Sequence, residues 1–385
     1  MEFWGYRRPD GRVGIRNQLL VLSSVVCANR TAEAIAEAVP GAIAIQHQHG
    51  CAQLGADRDL TAKTLIGLGK NPNVGAVIVV SLGCETVPAQ EVADGIAETG
   101  KPVVPLAIQE EGGTIATISR GIQEGRKMAE QIARLRREPF GIEHLILATE
   151  CGGSDTTSGM AANPAVGAAS DLVVEQGGTV ILSETPEFMG AEHILAQRGK
   201  DEVTGQKVVE IVNRFERELL RMGVDIRGTQ PAPGNIAGGL TTIEEKSLGC
   251  IYKGGTTEIR EVLGYAEAPT EKGLVIMDTP GHDVESVTGM VAGGAQVVVF
   301  TTGRGSPTGN AIAPVIKVTA NPKTYKKMED NIDIFAGKIL DGEETPGDVG
   351  QRIFQMVLDV ASGAKPKAEI LGHREIAFYR IGPTA

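Results

Sequence analysis

Nine short apolar runs, continuous rather than alternating, most constrain what this chain can fold into. They are LLVLSSVVC (19–27), AIAIQ (42–46), AVIVVSL (76–82), PVVPLAI (102–108), HLILAT (144–149), TVILS (179–183), LVIMD (274–278), VVVFT (297–301) and PVIKVT (314–319). A strand with one face in water alternates apolar and polar residues. An unbroken run marks a strand buried on both faces, as in parallel sheets covered by helices.

Helical patterns fill the gaps. In 114–138, Ile115, Ile118, Ile122, Ala129, Ile132 and Leu135 fall roughly on one stripe, which stops at Pro139. The basic stretch RLRRE (134–138) is expected to close that helix, where cations suit the macrodipole. In 207–223, Val208, Ile211, Phe215, Leu219 and Met222 align ahead of Gly223, a helix-capping residue type. Strand and helix in alternation predict an α/β protein: two Rossmann-like domains with mainly parallel sheets covered by helices. Pro139-Phe140-Gly141 is the expected boundary, giving an N-terminal domain over 1–139 and a C-terminal catalytic domain over 140–385. RGTQPAPGNIAGGL (227–240) is too long and too rich in Gly and Pro for a routine connection, and reads as a functional loop.

Six of the runs end in polar clusters: QHQHGC (46–51), LGCET (82–86), ECGGSD (150–155), SETPE (183–187), DTPGHD (278–283) and TTGRGS (301–306). Open parallel sheets bind ligands at the C-terminal ends of their strands, near a switch in strand order. Six clusters in register with six strands therefore predict one or two active-site edges.

Composition narrows the function classes. The net charge is −11 with no long basic run, against a nucleic-acid or anionic-membrane partner. No signal-like start and no apolar stretch of membrane-spanning length are seen, so a cytoplasmic protein is expected. Five widely spaced cysteines without a CxxC pair are not a disulfide framework.

The clusters offer several chemistries. Glu184 and Glu187, three apart, suit an acid/base or metal pair, or else the N-terminal turn of a helix. Asp278, His282 and Asp283 suit a hard or borderline cation. TTGRGS resembles an anion cradle, with Gly303 and Ser306 close to a ligand and Arg304 gripping a carboxylate. Cys27 and Cys250 read as packing residues. Cys51, Cys84 and Cys151 each follow a strand; they could hold an iron–sulfur cluster, join His47 or His49 around Fe²⁺ or Zn²⁺, or be unconnected buried thiols.

Longer motifs carry a resemblance. GYRRPDGRVGIRN (5–17), ECGGSD with SGMAANPAVG (158–167), GGTVILSETPEFMGAEH (177–193), PGNIAGGLTTIEEKSLG (233–249), MDTPGHD (277–283) and FTTGRGS (300–306) resemble the altronate/galactarate dehydratase family from about residue 5 to the C-terminus. The resemblance implies a metal-dependent lyase, using Fe²⁺ or alternatively Mn²⁺, that dehydrates a sugar acid to a 2-keto-3-deoxy acid. A related branch, the sulfolactate sulfo-lyases, releases sulfite from a hydroxy-sulfonate. The tail LGHREIAFYRIG (371–382) is closer to that branch, while Cys51 and Cys84 fit the sugar-acid branch. Single-chain members carry an N-terminal SAF-type domain before the first motif, so the expectation is a large subunit partnered by a separate small SAF subunit, in an oligomer.

With that resemblance, metal contact is expected from His47, His49, Cys51, Cys84, Glu85, Cys151, Asp155 and Asp278. Arg304, Gly303, Ser306, Gly152, Gly153, Ser154 and Lys246 are expected around the acid, with Lys246 also counted among the catalytic residues. Glu184, Glu187 or His282 would move protons. A non-catalytic sugar-acid-binding protein is the alternative from another class.

Overall fold

The computed structural model describes residues 1–228 and 232–385. In the first part, β1 (Glu2–Arg7) runs antiparallel to β2 (Val13–Gly14). There follow β3 (Gln18–Ser23), α1 (Asn29–Ala38), β4 (Ala42–Ile45), α2 (Ala56–Lys70), β5 (Val74–Ser81), α3 (Ala89–Ala97) and β6 (Val103–Ala107). Their strands form a parallel sheet of order β4-β3-β5-β6, and α4 (Thr114–Ala133) packs back on it. Then β7 (Glu138–Gly141) returns to pair antiparallel with β1, Pro139 opposite Trp4.

The rest builds a seven-stranded parallel sheet. In chain order it contains β8 (Ile146–Cys151), α5 (Asn163–Glu175), β9 (Thr179–Leu182), α6 (Glu192–Ala196), α7 (Glu202–Arg221), α8 (Pro233–Ala237), α9 (Ile243–Cys250) and β10 (Ile259–Leu263). Next come β11 (Gly273–Met277), α10 (Asp283–Ala292), β12 (Val297–Thr301), β13 (Val315–Thr319), α11 (Pro322–Lys327), β14 (Ile334–Phe335), α12 (Pro346–Ala361) and α13 (Lys367–Ile370). The strand order is β10-β11-β9-β8-β12-β13-β14. The protein is thus α/β, with parallel sheets covered by helices. Because β8 lies between β9 and β12, the order switches beside it, which puts Cys151, at the C-terminal end of β8, at the position where such sheets carry their ligand sites.

Two local expectations needed correction. The helix from Thr114 ends at Ala133 rather than reaching Pro139. Arg137 leaves it to donate to the carbonyls of Trp4, Ile15 (2.9 Å) and Ala361 (3.0 Å), so the basic stretch ties β1 and α12 together instead of closing a helix. Its buried face also differs: Thr117, Gly121, Gly125, Met128 and Ile132 point inward, while Ile115 is exposed. Gly121 permits this, because a Cβ there would lie 2.4 Å from Ile35 of α1. Of the 227–240 segment, 229–231 lie outside the described residues, and α8 occupies its second half.

The two parallel sheets share a core. One apolar cluster joins Leu20, Leu65 and Val79 to Val275, Met290 and Phe300. Buried amides fix that seam: Asn71 Nδ2 donates to the carbonyls of Val291 and Ala295, and Asn73 Nδ2 to those of Gln296 and Ile312.

Candidate functional site

At the C-terminal edge of the four-stranded sheet, the loops after β3, β4 and β5 meet. Thr86 N–H donates to Gly50 O (3.0 Å), and Ser24 Oγ to Glu85 Oε1 (3.3 Å). Glu85 Oε2 in turn accepts from the N–H groups of Gly83 and Cys84. His47 is buried under Phe378, with ring centroids 4.5 Å apart. Its Nδ1 accepts from His49 N–H (3.1 Å), so its Nε2 carries the proton and donates to Ser23 O (2.8 Å). Burial pushes the imidazole down to about 4. Both ring nitrogens are therefore engaged, and the tail residue Phe378 covers the ring. Cys51 and Cys84 are exposed, Cys84 within 3.7 Å of Gln109.

The denser cluster lies at the switch point of the seven-stranded sheet. Three consecutive features aim it. Strand β8 places Glu150 and Cys151 at its end; Glu184 follows β9 in a left-handed conformation (φ 72°); and a short turn after Glu184 turns Glu187 inward. The backbone strain at Glu184, a non-glycine residue, persists because its surroundings hold it: its N–H donates to Thr279 Oγ1 (2.8 Å), and its Oε2 accepts from Cys151 N–H (3.0 Å) and from Lys253 Nζ.

Charge is stacked closely here. Glu187 is gripped by Lys246 Nζ and lies 3.7 Å from Lys253 Nζ. Burial alone would raise its carboxyl, but the two ammonium groups outweigh burial and bring it down to about 2. Glu184 moves the other way, pushed up to about 7 by burial and then by the charge of Glu187, with Lys253 opposing. Burial also holds Glu150 well above the carboxylate range, the neighbouring Glu184 adding to it, and raises Asp283. Glu150 Oε2 accepts from Ser286 (2.7 Å) and Ser183 (3.3 Å), whereas Oε1 of Glu150 and Oε1 of Glu184 are buried and, apart from the contact between these two carboxyls, no group among the described residues donates to them.

Among the described residues, two groups of potential ligand atoms converge, each within 4.8 Å. One is Glu150, Glu184 and Asp283; the other is Cys151, Glu187 and Cys250. In the second, Cys151 Sγ lies 3.1 Å from Glu187 Oε2, 3.1 Å from Ser154 Oγ and 3.3 Å from Cys250 Sγ. Asp283 is partly exposed at the mouth, its Oδ2 so close to Gly152 that a Cβ there would lie 1.9 Å away. His282 stands exposed beside it at the start of α10, 3.6 Å from Glu285. Lys317, behind the site, has its Nζ 3.6 Å over the Phe300 ring, and burial pushes it down to about 7.

The structure thus brings together Cys151, Ser154, Gly152, Glu184, Glu187, Lys246 and the 282–283 pair. Other sequence candidates hold the framework. Asp155 accepts from Thr157, Ser158 and Asn321, and Asp278 from Thr185 (2.7 Å) while pairing with Arg214 (2.5 Å). Arg304 is exposed; its N–H donates to Gly153 O and its guanidinium to Gly234 O. Gly303 packs on Asp155, since a Cβ there would reach its carboxylate at 2.1 Å, and Ser306 donates to Thr308. His47, His49, Cys51, Cys84 and Glu85 sit on the other sheet's edge, outside either ligand group.

The sequence singles out none of Glu150, Lys253 and Ser286, and reads Cys250 as a packing residue, whereas Asp283 is among its cation candidates; Glu150 lies inside the ECGGSD cluster without a role assigned to it. Cys250 and Lys253, in GCIYKGG, are three apart at a helix end, a spacing that puts them on one side. That was the available signal.

Residues 142–384 match the family described as D-galactarate/Altronate dehydratase, C-terminal, and residues 5–133 the D-galactarate dehydratase/Altronate hydrolase, second domain. The chain is 43% identical to a protein of Chromohalobacter salexigens named (2R)-sulfolactate sulfo-lyase subunit beta, covering 100% of this chain and 98% of that one. It is 36% identical to the galactarate dehydratase (L-threo-forming) of Escherichia coli and 33% to the altronate dehydratase of Bacillus subtilis, covering 99% of this chain and 77% and 78% of theirs.

Proposed function

The chain belongs to the D-galactarate/altronate dehydratase family, and from that premise we propose that it is a lyase that expels the C3 substituent of a 2-hydroxy acid, releasing sulfite from a small hydroxy-sulfonate of the sulfolactate kind. The 43% identity over the whole length of a sulfo-lyase subunit is the observation that carries this substrate reading. Dehydration of an altronate-like or galactarate-like sugar acid is the second reading, favoured by the names of the other relatives. The two reactions differ only in the leaving group. Each removes the proton on C2, breaks the C3 bond to sulfur or oxygen, and leaves an enol that becomes the 2-keto acid.

A proton beside a carboxylate is weakly acidic, so the enediolate needs positive charge around it. Lys246, partly exposed and anchored by Glu187, is suited to hold the substrate's anionic groups and to steady that charge. His282, beside Asp283 and with Glu285 near its Nδ1, is the exposed imidazole suited to take the C2 proton. Gly152 lets the Asp283 carboxylate and the Phe300 ring pack directly against the end of β8.

The family resemblance implies a divalent ion, Fe²⁺ or Mn²⁺. Glu150, Glu184 and Asp283 fit it: three hard oxygen donors within 4.8 Å, two of their oxygens buried without a donor among the described residues, and all three carboxyls raised first by burial, with Lys253 opposing at Glu184. When bound, such an ion supplies Lewis-acid stabilisation of the enediolate. Cys151, Glu187 and Cys250 fit it less well, because two ammonium groups already neutralise Glu187. The relative's designation as subunit beta supports a partner chain completing the enzyme, with a small SAF-type subunit and an oligomer as the proposed assembly.

The test is an anaerobic assay of the chain, alone and with a candidate small subunit, with Fe²⁺ or Mn²⁺ and sulfolactate, altronate or galactarate. Pyruvate and sulfite from sulfolactate are expected. A 2-keto-3-deoxy acid from a sugar acid alone would establish the second reading, and tight binding without turnover would leave the chain a sugar-acid-binding protein. His282→Ala is expected to lower kcat at least 100-fold with metal content unchanged; unchanged kcat would remove His282 from the reaction.

A further inference from the structure

Once the lysines have neutralised Glu187, two thiols remain facing each other in the centre of the molecule. Cys151 is the last residue of β8 and Cys250 the last of α9, each almost fully buried. Their sulfurs are 3.3 Å apart, while a disulfide needs about 2.05 Å, so closure asks for little more than ~1 Å of side-chain movement. The remaining cysteines, Cys27, Cys51 and Cys84, are exposed.

We propose that Cys151 and Cys250 form an oxidation site, a dithiol that a small hydroperoxide converts to a reversible disulfide. This goes beyond the lyase reading and does not rest on the substrate or on the ion. The geometry supplies each part. Cys151 Sγ donates a hydrogen bond to Glu187 Oε2 (3.1 Å), which fixes the sulfur facing Cys250, and the ammonium groups of Lys246 and Lys253 hold that carboxylate in place. Cys151 Sγ attacks the peroxide; the O–O bond breaks, one oxygen stays on sulfur as sulfenic acid, and the other leaves as alcohol or water carrying the thiol proton. The Cys250 thiol then attacks the sulfenic sulfur, its proton leaves with the hydroxyl as water, and the disulfide forms. Two thiols have lost two electrons and the peroxide has gained them.

The consequence is local. Lys246 lies one turn before Cys250 on α9, so drawing Cys250 toward β8 displaces the ammonium that holds Glu187. The modification would therefore close the site that the lysine serves.

The reduced full-length protein, titrated with hydrogen peroxide and quenched with an alkylating agent, tests this by intact mass and peptide mapping. The expected result is a loss of two hydrogens and a peptide linked through Cys151 and Cys250, both reversed by dithiothreitol. In Cys250→Ser, Cys151 should instead gain oxygen atoms. Should that variant fail to fold, Cys151→Ser provides the reciprocal case, with Cys250 left unlinked. Linkage readouts are independent of turnover, so failure here leaves the lyase reading standing. Recovery of both Cys151 and Cys250 as alkylated thiols while the exposed cysteines oxidise would overturn the proposal.

Discussion

At the scale of the residue, the site is governed by where buried charge finds its partner. Lys253 and Glu184 are both fully buried, joined by a hydrogen bond and surrounded by Glu187, Glu150 and Cys151. A buried pair is not a large source of stability in itself, but removing one member strands the other in a medium that solvates it poorly. Lys253→Met is therefore expected to destabilise the protein by about 3–5 kcal/mol, read from urea denaturation at neutral pH. A change below about 1 kcal/mol would mean that Glu184 takes up a proton at no cost, and the pairing argument would fail. Sequence made Glu184 and Glu187 legible, because carboxylates after a strand stand out. Lys253 was not legible: a lysine in a Gly-rich segment reads as surface until the fold turns it inward.

At the scale of the element, strands were the most legible feature. Continuous apolar runs are forced by burial on both faces, and each maps onto a strand of a parallel sheet. Helix faces were less so. The stripe chosen for α4 put Ile115 inside, whereas its glycines set the closest approach to α1. The tail's place in the fold was not legible, since it has neither period nor run, although LGHREIAFYRIG carried a resemblance to the sulfo-lyase branch. Yet it straps the molecule: Asp57 accepts from the N–H groups of Ile381 and Gly382 (both 2.6 Å), and Phe378 covers His47. A testable consequence concerns acid stability. His47 is held down to about 4 by burial, against an ordinary value of 6.5. The unfolded chain thus binds the proton first as pH falls. Stability is full above about 6.5 and is lost as pH drops through about 4, by on the order of 3 kcal/mol. Deleting residues 374–385 should expose the imidazole, raise its titration toward 6.5 by NMR, and flatten that acid loss. An unchanged titration in the truncated protein would show that the tail is not what buries the ring.

At the scale of the whole molecule, the sequence divided the chain near Pro139; that residue lies within β7, paired with Trp4 of β1, with the four-stranded sheet before it in the chain and the seven-stranded sheet after it. What the sequence did not reveal is the seam between them, because it is made by asparagines whose partners are more than two hundred residues away. Asn73 Nδ2 donates to Gln296 O (2.8 Å) and Ile312 O (3.1 Å), while its Oδ1 accepts from Ile15 N–H (2.9 Å). All three partners are backbone groups and all three bonds are buried, so Asn73→Ala leaves them unpaired at a cost on the order of 3 kcal/mol. Where that cost falls distinguishes one cooperative unit from two. The shared apolar cluster couples Leu20 and Val79 to Val275 and Phe300, and β1 with β7 closes the seam from outside. Unfolding followed by the single tryptophan, Trp4 on β1, and by far-ultraviolet circular dichroism should therefore trace one transition. Asn73→Ala should move both curves together to lower denaturant. Separated curves, with only one shifted by the substitution, would mean that each sheet melts on its own and that the seam carries no coupling.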